Sequence, residues 1–420
     1  MSFIIISLIL SYFFIYNKKI LFDKYLKINF FFFTTIIILN LFNVFVSKNY
    51  SSFSNLIYVS VVALFFFSLN HQFFKSNFFE KLKNLIIKIY FLYFYFFLLI
   101  SILCIIIYFY NSTGIFKMML FKKDIFFIFE DIKYSTLKTF NTFFSSYTNP
   151  FSLIVFVKFF FLISNNNKLK NIIYLYLISI FVFYLLSSYL YLILSIKLLL
   201  FKFYEKKIKI NFIFNASFFI LIIFFLFFFP ITLNFIMSLF GIENFLLNIN
   251  FYTEKIFDRD CMINSDCHYV IEFLTNFFSK QNLFSLYVSI FNRFSMNYEF
   301  LSFFYNNPLV YLQDIDNFNN YITDLNVGKK KNSIMITTHN SFNYITLKYS
   351  IFATLIFIFS LYILSLKLLK NKYYLNLLFL YMLIGIMLYD DHLIMNNLVG
   401  SISIWVSLGL VNINNNEKKF

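Results

Sequence analysis

Long runs of Phe, Ile and Leu, broken at intervals by short polar segments, make up most of the chain. A helix needs roughly 17–25 apolar residues to cross the hydrocarbon layer of a bilayer, and somewhat fewer where flanking lysines snorkel to the surface. On that criterion the runs near 2–16, 28–47, 53–72, 84–110, 150–164, 171–187, 188–203, 212–238, 347–366, 373–389 and 393–411 predict about eleven spans. The fold class expected is all-α, a polytopic transmembrane helical protein. Nothing ahead of the first run is basic and no small-residue cleavage site follows it, so it is expected to be a retained span.

Two stretches depart from this pattern. The sequence IFKMMLFKKDIFFIFEDIKYSTLKTF within 111–149 mixes apolar and charged residues as an interfacial amphipathic helix does. Residues 241–345 are polar and long enough to fold as a cap outside the membrane. The chain therefore divides into an N-terminal bundle (1–240, about eight spans), a large extramembrane loop (241–345), and C-terminal spans with a short tail (346–420).

Composition sharpens this picture. With 60% hydrophobic residues, 70 Phe, 32 Tyr, 6 Gly and 3 Pro in 420 residues, an ordinary soluble domain is excluded. The excess of Phe, Ile, Asn and Lys beside a single Trp is the drift of an AT-rich genome, so the aromatic count is no sign of base-stacking platforms. The formal charge of +16 would point to nucleic acid in a soluble protein; here it reports topology instead. Lysines gather in alternate connections: Lys18, Lys19, Lys24 and Lys27; Lys75, Lys81 and Lys83; Lys168 and Lys170; Lys202, Lys206, Lys207 and Lys209; Lys367, Lys370 and Lys372; Lys418 and Lys419. The positive-inside rule puts these on the cytoplasmic side. The segments 111–149 and 241–345 and the turn Asp390-Asp391-His392 then share the outer side.

Few residues could carry chemistry. Cys261 and Cys267 lie in the outer segment, where a short-loop disulfide, free thiols and a zinc site with His268 all remain open, although zinc lacks a fourth ligand nearby. Arg293 is followed by apolar and aromatic residues at 294, 298, 300, 301, 303 and 304, a helical spacing that ends at Asn306-Asn307-Pro308. Its guanidinium fork suits a phosphate or diphosphate, while Glu299 or bulk lipid phosphate would occupy it in a purely structural role. His339 stands between Thr338 and Asn340, either of which could cap the following helix; the imidazole could act as a general base or as a donor to a leaving group. Lys158 falls inside the fifth run, where a charge is either functional or snorkels to the surface. Asp390 and Asp391 could orient a base or bind a sugar, or form a solvated turn. His71 reads as a core histidine.

Taken together, Arg293, the helix after it, Asn307-Pro308-Leu309, the polar stretch, and His339-Asn340 with Phe342-Asn343-Tyr344-Ile345 before a long apolar helix resemble the O-antigen polymerase and ligase family. Thr148-Asn149-Pro150 resembles a further Asn-Pro motif of that family, and the likeness spans roughly residues 140–411. The family's Ser-Arg pair at an outer turn is absent, since Leu186-Ser187-Ser188-Tyr189 stands in its place.

The resemblance implies a GT-C-like, metal-independent and cofactor-free glycosyltransferase in a bacterial inner membrane, with 241–345 as its periplasmic loop. It would move a glycan from an undecaprenyl-diphosphate-linked oligosaccharide to an acceptor glycan. Arg293 and His339 would be its catalytic residues, and Asn340, Arg259, Lys158, Asp390 and Asp391 would bind substrate. Its partners would be membrane lipids and other assembly proteins such as a chain-length regulator, and not nucleic acid. Repeat-unit polymerase is the first expectation and ligase to lipid A core the second. A polytopic transporter or a mitochondrially encoded energy-coupling subunit is the third; Arg293 with Asn297 resembles the arginine helix of the ATP synthase a subunit, although polar residues at 305–307 and 313–320 cut that run short.

Overall fold

The computed structural model describes residues 24–46, 56–57, 59–63, 66–67, 88, 92, 99, 103, 148–165, 189–204, 210–239, 304, 340–389, 404–409 and 411. Among these no strand occurs. The helices are α1 (Lys24–Val46), α2 (Thr148–Asn165), α3 (Tyr189–Tyr204), α4 (Phe212–Phe227), α5 (Phe229–Leu239), α6 (Ser341–Lys370) and α7 (Tyr374–Tyr389). Residues 404–409 and 411 are also helical. By length and composition Lys24–Phe42 and Ser341–Lys370 can cross a membrane, and α4 and α7 are apolar but shorter. Such helices mark a membrane-associated chain.

Burial separates two faces on these helices. On α6, Ala353, Phe357, Leu361, Leu364 and Leu368 are buried while Phe352, Leu355 and Phe359 are exposed. On α1, Phe32, Phe33 and Ile36 are buried while Phe31, Ile38, Phe42 and Phe45 are exposed. Both faces of each helix are apolar, which suits a helix with protein on one side and acyl chains on the other.

Helix α6 is central, packing against α1, α4 and α7; α7 also packs on α3, and α3 on α2. The single tryptophan sets the deepest layer. Trp405 is fully buried, with ring centroids 4.7 Å from Phe33, 5.0 Å from Phe66, 5.5 Å from Phe357 and 5.9 Å from Phe32. A second layer joins α2 to α7, where Phe160 stacks on Phe379 at 3.8 Å.

Several polar side chains inside this apolar packing are satisfied locally or across helices. Asn29 Nδ2 donates to the Tyr25 carbonyl (2.9 Å), Asn40 Nδ2 to Ile36 (3.0 Å) and Ser60 Oγ to Leu56 (2.8 Å), each one turn back. Ser360 Oγ of α6 donates to Asn29 Oδ1 of α1 (2.9 Å), and Tyr381 OH of α7 to Asn215 Oδ1 of α4 (2.6 Å). In lipid each such interhelical bond contributes about 0.6 kcal/mol, and its larger effect is to fix which faces meet.

The run 212–238, expected as one span, is helical in two consecutive pieces, α4 and α5, that meet at Phe228. Asn211 Oδ1 caps α4 by accepting from Phe214 N (2.8 Å). Phe228 N bonds Phe224 O (2.8 Å) and Thr232 N bonds Phe228 O (2.9 Å), so the ladder continues on either side of Pro230, which has no N–H to contribute.

Helices α6 and α7 form a tight hairpin. Lys372 takes the left-handed conformation (φ 59°), its N–H reaching Leu369 O (3.0 Å) while Tyr373 N reaches Leu368 O (3.0 Å). These two bonds satisfy the last carbonyls of α6 in a Schellman arrangement. Lys367 and Lys370 in the final turn add charge favourable to the helix dipole. The hairpin brings Tyr389, the last described residue before Asp390, back toward the end at which α6 begins.

Candidate functional site

The start of α6 is where the sequence motif meets the described structure. Asn340 is the N-cap: its Oδ1 accepts from Phe342 N (2.9 Å) and Asn343 N (3.3 Å), and the residue is buried. Of the two capping residues read from sequence, Asn340 is thus seen to do it. The first turn lies inside the protein, since Ser341, Phe342 and Asn343 are also buried.

The run 347–366, expected as a span, lies in a helix long and apolar enough to cross a membrane, but that helix is broken at Ser350. Ser350 has φ 86° and ψ 160°, far from helical values, so the helix is two pieces, 341–349 and 351–370. In an unbroken helix Phe342 and Thr354 would be about 18 Å apart at 1.5 Å per residue. Instead Thr354 Oγ1 lies 3.4 Å from the Phe342 carbonyl. The Phe342 and Phe357 rings are 5.8 Å apart, and the hydroxyls of Thr346 and Thr354 are 2.8 Å apart. The short piece therefore doubles back beside the long one, with Ser350 at the apex.

The physical reason is local hydrogen bonding that a single-run reading cannot anticipate. Thr346 Oγ1 donates to Phe342 O (2.9 Å), the same carbonyl that Thr354 approaches. Ala353 N reaches Ser350 Oγ (3.5 Å) at the start of the long piece. Left-handed extended backbone at a serine costs on the order of 1–3 kcal/mol and persists only where its surroundings hold it. Irregular backbone within an apolar layer must also be covered by protein, and Ser350 is buried.

The long piece, 351–370, is roughly 30 Å at 1.5 Å per residue, one hydrocarbon thickness. The short piece, about 13 Å long, returns from the apex toward the interior. Asn340 therefore stands near the level of Phe357 and below the apex, where the sequence placed it just outside a span.

Lys158 lies in α2, whose residues 152–160 are all buried, so this stretch is covered on every side. Phe156 and Phe160 face Phe379 of α7 (5.3 and 3.8 Å), and Lys158, two residues from each, projects from the opposite side of the helix. Its side chain is 9% exposed and enclosed by protein. Pro150 occupies the first turn of α2, where a missing N–H is harmless.

The remaining candidates, Arg293, His339, Arg259, Asp390 and Asp391, lie outside the described residues, as do His71, the three cysteines and segment 111–147. Within the stretch carrying Arg293, Phe304 alone is described: it is helical and buried in the core. Among the described residues no group of three or more His, Cys, Asp or Glu could hold a metal.

One cation at this site was missed. Lys348 Nζ donates to Tyr344 OH (2.9 Å) and lies 5.2 Å from the Tyr344 ring centroid and 5.8 Å from that of Tyr349. The i, i+4 spacing of Tyr344 and Lys348 is the signal that could have found it, at the edge of the run 347–366.

Compared with protein families, curated proteins and solved structures, the chain matches none.

Proposed function

We propose that the chain is a multi-pass inner-membrane glycosyltransferase that extends a polysaccharide on the periplasmic side, using an undecaprenyl-diphosphate-linked oligosaccharide as donor. The observation that carries this reading is the path of the chain after His339. After the His-Asn pair comes a buried helix that Asn340 caps and that doubles back, so Asn340 itself lies in the protein interior.

The reaction needs few groups. The bond from the anomeric carbon to the diphosphate breaks, the acceptor oxygen bonds to that carbon, and the acceptor's proton is released. A cation stabilises the developing diphosphate charge, a task assigned to Arg293 with help from Arg259 and Lys158. His339 serves the acceptor hydroxyl or the leaving group. Asn340, Asp390 and Asp391 would bind sugar.

Deleting the gene tests the reading. A polymerase null displays one repeat unit on lipid A core; a ligase null displays none and accumulates carrier-linked polymer in the periplasm. A polytopic transporter is the remaining reading. A transporter null would strand single repeat units on the cytoplasmic leaflet. Normal polysaccharide in the deletion strain would end all three readings.

The topology has its own check. Cysteines placed at 320 and 370 are expected to label differently with an impermeant reagent, 320 from outside and 370 only after permeabilisation, since Lys367, Lys370 and Lys372 mark the inner side. Equal labelling from outside would overturn the arrangement.

A further inference from the structure

We propose that Ser350 is a hinge, and that the short helix 341–349 is a strap that swings from its folded-back position into line with 351–370. Ser350 holds φ 86° and ψ 160°, a combination that glycine adopts freely and that a residue with a Cβ occupies only under constraint. Sharp breaks in helices fall mostly at glycine or proline. Ser341–Lys370 contains neither, so every residue of the stretch also accepts a continuous helix.

The hydroxyls at the apex have partners in both arrangements. Thr346 Oγ1 donates to the Phe342 carbonyl one turn back (2.9 Å), and Thr354 Oγ1 lies 3.4 Å from the Ser350 carbonyl one turn back as well as 3.4 Å from that of Phe342. Breaking the contact between Thr346 and Thr354 therefore strands neither hydroxyl, because back-bonding of this kind serves equally in a straight membrane helix. Ala353 N, now 3.5 Å from Ser350 Oγ, would regain a carbonyl four residues back. Against these gains, the strap gives up the burial of Phe342, Ile345 and Leu347 and the pairing of the Phe342 and Phe357 rings. The folded-back form is thus the major state, and the straight form a minor state that needs no unpaired hydroxyl.

The swing is large. Folded back, Asn340 stands about 13 Å from the apex on the side of Lys370; in line, it would stand about 15 Å beyond the apex. The straight helix would be roughly 45 Å long and would exceed a hydrocarbon layer of about 30 Å by the length of the strap. Swinging carries Asn340 from the protein interior to outside the layer while 351–370 stays as the span. The hinge is independent of the chemistry proposed above, since it follows from the backbone at Ser350 and the two threonines alone.

The test is the rate at which single cysteines at 346 and 354 react with a water-soluble maleimide in the full-length protein in lipid nanodiscs, the modified peptide being identified by mass spectrometry. Both threonines are fully buried in the folded-back form, so neither position reacts from it. Thr346→Cys is expected to react and Thr354→Cys to stay inert, because only the strap leaves the layer. Adding Ser350→Gly should slow the reaction of Thr346→Cys about tenfold, since glycine relieves the bend and disfavours the straight helix. Adding Ser350→Ile should speed it about tenfold, since a β-branched residue resists positive φ. If Thr346→Cys is as inert as Thr354→Cys, the hinge is overturned. Equal reaction of both positions would also overturn it, as general loosening of the bundle. Should Ser350→Ile fail to insert, Ser350→Gly decides alone, and an unchanged rate there refutes the hinge whatever reaction the protein performs.

Discussion

Trp405→Ala is expected to lower the unfolding temperature of the purified protein more than any other single core truncation. The indole is fully buried between Phe32 and Phe33 of α1, Phe66, and Phe357 of α6, so its removal leaves a cavity bounded by rings on different helices. Rings anchored to separate backbones cannot all close inward, and large aromatic truncations of this kind cost about 3–5 kcal/mol. The effect does not depend on water being excluded, because the lost term is dispersion contact, which lipid tails cannot replace inside a packed bundle. Trp405→Phe should recover much of the loss. Thermal unfolding followed by size-exclusion chromatography in detergent checks it, and an alanine variant as stable as wild type would mean that this layer is not the centre of the fold.

Arg293→Ala and His339→Ala are each expected to abolish chain extension while leaving the protein inserted. Withdrawing a cation from a developing diphosphate costs on the order of 3 kcal/mol in transition-state stabilisation, ~10²-fold in rate. Arg293→Lys should restore only part of the activity, because an ammonium keeps the charge and loses the two-pronged geometry. The readout is the length distribution of polysaccharide in a deletion strain complemented with each variant, beside immunoblots of the membrane fraction. Normal-length polysaccharide from both alanine variants would remove these two residues from the proposed reaction.

Much of the architecture was legible because apolar runs of span length leave a chain few options. The runs 150–164, 188–203 and 373–389 correspond to α2, α3 and α7 within a residue or two at each end. Lys24 and Lys27, counted as a cytoplasmic connection, are the exposed first turn of α1, since a lysine stem can lie along a helix and still reach a surface. The role of Asn340 as a helix cap was likewise legible, because a short polar side chain before an apolar run has that local use whatever the fold.

What the sequence determined by itself was set by composition and local chemistry: helices, their approximate bounds, an apolar character on every face, and a cap at the start of α6. The tertiary structure alone decided which face is inside. In a helix of Phe, Ile and Leu no amphipathic stripe distinguishes protein from lipid, so the burial of Phe357 and the exposure of Phe359 depend on α1 and Trp405 lying on one side. It also decided the reversal at Ser350. That reversal rests on Thr346, Thr354 and the Phe342 carbonyl meeting across the apex, contacts between residues up to twelve positions apart that exist only once the chain has turned. No spacing rule announces it, because serine and threonine are equally at home back-bonded within a straight membrane helix.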